Sequence, residues 1–209
     1  MLAANKVVAE DSFWKELPFL YRTHEYPDLE KVRELAVLAH SFSHTLKVGQ
    51  QEVHPREIQK LMESIEGTEE ETFLSRLTLR AMKRAKYEPE NEGHFGLATK
   101  YYCHFTSPIR RYPDLQIHRI LKESFKKGLS EKRQAHYQEI LSGVAKSCSS
   151  LERRADDAER EVDKMKKAEF MQSKIGECYE GVISGVTSWG IYVELPNTIE
   201  GMIRLADLT

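Results

Sequence analysis

Apolar residues recur at helical spacing through most of the chain and switch to strand spacing only near its end. Residues 1–15 are alanine-rich, carry little turn chemistry and read as a helix, which Pro18 breaks. The stretch PFLYRTHEYPD, from Pro18 to Asp28, reads as extended, with Pro27 fixing a turn. Asp28 is a candidate N-cap for a second helix with the stripe Leu29, Val32, Leu35, Ala36, Ala39, Phe42 and Leu46, ended by Gly49. Pro55 suits the first turn of a short helix carrying Ile58, Leu61, Met62 and Ile65. Thr68 and Glu71 have the spacing of a capping box, which predicts a further helix from about Glu69 to Ala85.

Residues 86–107 lose the charged helical pattern in favour of glycines, aromatics and threonines, and read as strands and loop. Pro108 then opens a helix with Leu115, Ile120, Leu121 and Phe125 inward. Over 130–171, Tyr137, Leu141, Val144, Cys148, Leu151, Ala155, Ala158, Val162 and Met165 alternate steps of four and three. That spacing predicts one long helix with a narrow, heptad-like seam. From about Ile175 the period becomes two, broken by Gly176, Gly181, Gly185, Gly190 and Gly201, as in the opening strands of a small barrel. About three strands fit, whereas an OB barrel needs about five. The expected fold class is mainly α with a short mixed β element, followed by a truncated OB-fold β-barrel. The abrupt helical opening at Met1 carries the expectation that more chain precedes it.

Composition narrows the picture in two ways. Of 209 residues 40% are hydrophobic and 31% charged, enough for a sizeable core with long solvated helices. The 31 basic and 33 acidic residues nearly cancel, so any nucleic-acid footprint must be local rather than global. Cys103, Cys148 and Cys178 lie far apart without CxxC spacing, which argues against a disulfide framework or zinc site and fits a reducing cytoplasm. No apolar run approaches the roughly 20 residues of a membrane span, and the N-terminus has no signal-peptide pattern.

Candidate chemistry concentrates in YCHFTSPIRRYPDLQIHR, from Tyr102 to Arg119. A helix starting near Pro108 would turn its free N–H groups toward the loop, with Thr106 and Ser107 at the capping position, a favourable phosphate site. Arg110 and Arg111 on the first turn could hold a phosphodiester bidentately, or one of them could form a structural salt bridge with Asp114. His104 and His118 are candidate general bases weighed against the commoner role of structural hydrogen-bonder. Asp156, Asp157, Glu159 and Glu161 read as a solvated helix face interleaved with Arg153, Arg154 and Arg160. Trp189 and Tyr192 flank Gly190 and are either a stacking platform for single-stranded bases or, in part, core.

The run YCHFTSPIRRYPDLQIHRIL closely resembles the most recognisable segment of the ribonuclease II and ribonuclease R (RNB) exoribonucleases. MLAAN, PFLYRTHE, ERRADDAEREV and GECYEGVISGVTSWGIYVEL resemble that family in the same order, with the ribonuclease R branch nearer. The resemblance implies residues 1–172 as the C-terminal part of the catalytic domain and 173–209 as the N-terminal part of an OB-fold RNA-binding domain. It implies a processive 3′→5′ exoribonuclease that uses magnesium held by aspartates upstream of Met1. This chain alone would then bind no metal and turn over little, and its uncovered faces would make it poorly soluble or dependent on the complementary N-terminal half. The alternative is a non-catalytic RNA-binding or partner-binding module.

By the same resemblance, Arg110 holds the scissile-end phosphate and supports its transition state, while Thr106, Ser107, Arg111, Tyr112 and Asp114 shape that loop. Glu159 approaches the sugar of the last nucleotide. Trp189 and Tyr192 stack on single-stranded RNA, and Arg204 stands where many relatives carry a histidine.

Overall fold

In the computed structural model, which describes residues 1–208, the chain forms two compact units, Met1–Arg153 and Arg154–Thr209. The first has two hydrophobic cores. One is built by α1 (Leu2–Trp14), the segment leading into β1 (Tyr21–Thr23), β2 (Lys86–Glu88), α5 (Tyr112–Lys127) and the start of α6 (Glu131–Gln172). Its buried residues include Ala9, Phe19, Leu20, Ile117, Ile120 and Leu141. The other lies among α2 (Leu29–Ser41), α3 (Pro55–Ile65) and α4 (Glu71–Ala81), around Val32, Leu35, Leu61, Ile65 and Leu74.

β1 and β2 pair antiparallel, with Arg22 opposite Tyr87, so the three-helix segment is an excursion whose two ends are zipped together. Phe95, on a single 3-10 turn after β2, inserts into the core of that excursion. Helix α1 reverses the usual pattern, burying Asn5, Ala9 and Ser12 while Val7 and Trp14 face outward.

Several boundaries differ from the sequence expectation, each for a local reason. Helix α2 ends at Ser41 rather than near Gly49, because Ser43 takes a left-handed conformation (φ 67°) and His44 N–H closes onto Ala39 C=O. Leu46 is buried all the same. The expected capping box at Thr68 does not form: the Glu71 carboxylate accepts from Gly67 N–H at 2.7 Å, and the Thr68 hydroxyl donates to Ile65 C=O. These contacts finish α3, and α4 runs only to Ala81, four residues short of the expected end. Helix α5 begins at Tyr112 with Pro113 in its first turn, while Pro108 lies in a turn ahead of it. Phe125, expected inward, is 72% exposed.

The long helix forms as one piece, and its 42 residues span about 63 Å at 1.5 Å per residue. Its seam divides: Tyr137 and Leu141 are buried and Val144 and Cys148 pack beside them. Leu151, Val162 and Met165 are exposed.

In the second unit β3 (Val182–Thr187), β4 (Gly190–Glu194) and β5 (Glu200–Arg204) form an antiparallel meander with a bulge between Ile183 and Gly185. Gly190 is required by close approach, since a Cβ there would lie 2.1 Å from the Ile203 carbonyl oxygen. Among the described residues this is a three-stranded sheet, not a closed barrel. The architecture is mostly helical with two small sheets.

Candidate functional site

The segment from Cys103 to Arg111 joins the first core to α5 without being a strand itself. The backbone tie just ahead of it is Arg22 N–H to Tyr102 C=O at 2.9 Å, and among the described residues no backbone–backbone hydrogen bond engages residues 103–106. Buried backbone groups need partners, and here side chains supply them. Asn5 Oδ1 accepts from Phe105 N–H at 3.2 Å, while its Nδ2 donates to the Tyr102 hydroxyl. His118 Nε2 donates to Phe105 C=O at 3.0 Å, and its ring stacks on the Phe105 ring, centroids 4.2 Å apart and 7° from parallel.

Beyond Phe105, a buried carboxylate organises the turn. Asp114 is fully buried, and its Oδ1 accepts from Ser107 N–H at 2.8 Å and from Arg111 Nη2 at 2.7 Å. Ser107 C=O in turn accepts from the N–H groups of Arg110 and Arg111. The structure thereby resolves the choice between the two arginines: Arg111 is the structural ion pair. Arg110 and Ile109 stand exposed at the crest of the turn, and Arg110 has no ion-pair partner among the described residues. Because the helix starts only at Tyr112, Arg110 precedes it, Arg111 is its N-cap, and Thr106 and Ser107 do not occupy the capping position. Thr106 Oγ1 is buried and makes no hydrogen bond to a described residue, as are Arg111 Nε and Asp114 Oδ2. Tyr112 is half exposed and donates to Gln116 Oε1 at 3.3 Å.

The two candidate bases fall on the structural side. His104 pairs through Nδ1 with the Tyr87 hydroxyl at 2.9 Å, and burial, reinforced by the charges of Arg111 and Arg22, holds its pKa down at about 3. His118 is engaged with Phe105 as described. A third arginine, Arg22, lies over the Tyr87 ring and is ion-paired with Glu152 at 2.6 Å.

Sequence reasoning passed over Asn5. Its signal is the stripe Asn5, Ala9, Ser12, small and polar at steps of four and three on a helix whose large apolar residues lie elsewhere.

The remaining predicted residues belong to the second unit. Glu159 is exposed on α6, amid the acidic run, where Arg160 pairs with Asp157. Trp189 is 76% exposed, in the turn between β3 and β4 rather than on a strand. Tyr192 pairs with Met202 and Gly190 with Arg204, so Tyr192 and Arg204 share one face of the sheet. Arg204 Nε also contacts Asp207 Oδ2 at 3.3 Å.

The family profile described as the RNB domain matches residues 1–127. Ribonuclease R 1 of Lactococcus lactis is 43% identical over 208 residues, covering all of this chain and 26% of that protein. The chain therefore spans about a quarter of that relative. The structure of Mycoplasma genitalium RNase R in complex with ribose-methylated single-stranded RNA superposes with a TM-score of 0.91 at 25% identity, over 99% of this chain and 33% of that one. Yeast Ssd1, described as a pseudonuclease, superposes at 0.76 with 23% identity, over 97% of this chain and 25% of that one, a likeness of fold alone.

Proposed function

The chain belongs to the RNB-domain family, and from that premise we propose that it supplies RNA and phosphate contacts to a processive, hydrolytic 3′→5′ exoribonuclease. The substrate is single-stranded RNA and the products are nucleoside 5′-monophosphates. Arg110 carries the reading: a guanidinium exposed on a turn whose base is pinned by a buried carboxylate. A pre-placed guanidinium binds a phosphodiester through paired N–H groups and opposes the charge that builds up at phosphorus in the transition state. Thr106, Ser107, Arg111, Tyr112 and Asp114 shape the turn. Glu159 addresses the terminal ribose, and Trp189, Tyr192 and Arg204 stack on bases. In this reading β3–β5 are the opening strands of an OB-type domain, residues 173–209, following a catalytic part over residues 1–172. The free thiols of Cys103, Cys148 and Cys178 accord with a cytoplasmic location. Among the described residues no helix is long and apolar enough to cross a membrane.

The reaction calls for a divalent metal, magnesium in this reading, to activate water and offset charge at the phosphate. Among the described residues no group of three or more His, Cys, Asp or Glu side chains is arranged to hold one. The residues present do not fit that ion, and in this reading its ligands lie in protein outside residues 1–209, with the N-terminal half of the enzyme as the partner.

Fluorescence anisotropy with a labelled single-stranded oligoadenylate tests the reading. Affinity should fall with salt, and Arg110→Ala should weaken binding and reduce the log–log salt slope by about 0.7, one phosphate contact. An unchanged slope would remove Arg110 from the RNA. Magnesium-dependent release of mononucleotides by this chain alone would refute the assignment of the metal ligands elsewhere. The second reading is a non-catalytic RNA-binding or partner-binding module. Cleavage by a complete protein carrying this chain decides between the two.

A further inference from the structure

We infer that Asn5 and His118 are positioning residues that aim Arg110, an inference that rests on the RNA-holding reading above. Both act on one residue. Phe105 has its N–H bound by Asn5 from α1 and its C=O bound by His118 from α5, so its peptide groups are fixed from two helices more than a hundred positions apart in sequence. No ladder contributes over residues 103–106 among those described, so side chains hold this segment: these two at the Phe105 peptide groups, beside the His104–Tyr87 hydroxyl bond and the Cys103 thiol donating to Asn5 C=O. Two residues on, Asp114 takes Ser107 N–H, and the turn bearing Arg110 begins. Asp114 fixes the shape of the turn, whereas Asn5 and His118 fix where that turn stands on the core.

Packing alone does not call for either residue. Asn5 is buried on the inner face of α1, where an apolar side chain would fill the space without a polar group to satisfy. Its amide makes two bonds, to Tyr102 and to Phe105, and so grips the incoming segment at two points three residues apart. A phenylalanine at position 118 would keep the stack on Phe105 but lose the donor. Groups that recognise a charged ligand must be held within about 0.5 Å of the productive geometry, which an unanchored loop segment does not achieve.

A double-mutant cycle on RNA binding separates aiming from mere support of the core. With the labelled oligoadenylate, His118→Phe should weaken binding roughly 3- to 10-fold when Arg110 is present and leave it within about twofold in an Arg110→Ala background. His118→Gln, which retains a donor, should restore most of the loss. Equal weakening in both backgrounds would reduce His118 to a structural role and overturn the inference, as would no weakening beside a clear Arg110→Ala effect. If Arg110→Ala itself changes nothing, the RNA-holding reading fails and takes the inference with it. Should His118→Phe not fold by circular dichroism, Asn5→Leu, which releases the Phe105 N–H, takes its place in the same cycle with the same expected outcomes.

Discussion

Arg111 points its Nη2 at a carboxylate that no solvent reaches, while its neighbour Arg110 faces outward. Adjacent, chemically identical side chains should therefore fail in opposite ways. Removing one member of a buried pair leaves an uncompensated charge, so Arg111→Ala or Asp114→Ala should lower stability by about 3–5 kcal/mol in urea denaturation. Arg110→Ala should change stability by no more than about 0.5 kcal/mol while weakening RNA binding. The sequence showed both arginines and Asp114 but left open which one paired, since that choice depends on where α5 starts. Two histidines carry a second prediction. Burial depresses His94 to about 4 and His104 to about 3, against 6.5 in the open chain. The unfolded chain thus takes up these protons first. Their contribution is complete above pH 6.5 and declines as pH falls toward 4 and then 3. Thermal melts should lose stability from pH 7.5 to 5, and a His94→Gln, His104→Gln double variant should lose less.

At the scale of elements, what was legible followed from periodicity, and what was not followed from capping. Four of the six helices were visible as stripes, while α1 was read from its alanine content and α4 from the Thr68–Glu71 spacing. Asp28 caps α2 as its position implied, accepting from Glu30 N–H at 2.9 Å. Starts and stops were less visible because several residues compete for each. Pro108 and Pro113 are both plausible first-turn prolines, and the pull of Asp114 on Ser107 N–H decides for the second by folding Pro108 into a turn. A seam, likewise, reports where a helix offers an apolar edge and not where that edge is covered. Leu141 lies in the buried part of the α6 seam and Met165 in the exposed part, at 1% and 57% exposure. Leu141→Ala should cost about 2–5 kcal/mol, whereas Met165→Ala should stay within about 0.5 kcal/mol, both read from denaturant midpoints.

For the whole molecule, the division of the first unit into two cores was not legible, because it depends on β1 meeting β2 across the entire three-helix excursion. Three-residue strands leave little trace in a hydrophobic pattern. Phe95 is the bolt between the parts: it follows β2 in the chain but is buried in the core of the excursion, with the Tyr26 ring 5.3 Å away. Phe95→Ala should destabilise α2–α4 by about 3–5 kcal/mol. Hydrogen exchange should register that loss in these helices, with amides of α5 near Ile117 and Ile120 retaining their protection.

The zipped ends of the excursion also bear on how such a protein can change over time. Once Arg22 and Tyr87 lie opposite each other, the chain between them is a closed loop, and the entropy of closing it grows only logarithmically with length. Doubling that loop would cost only about 0.6 kcal/mol. Lineages are therefore free to lengthen, shorten or replace the bundle with little penalty to the base that carries the arginine turn. Size variation should collect between residues 24 and 85, and the stretch from Tyr102 to Arg119 should keep its length.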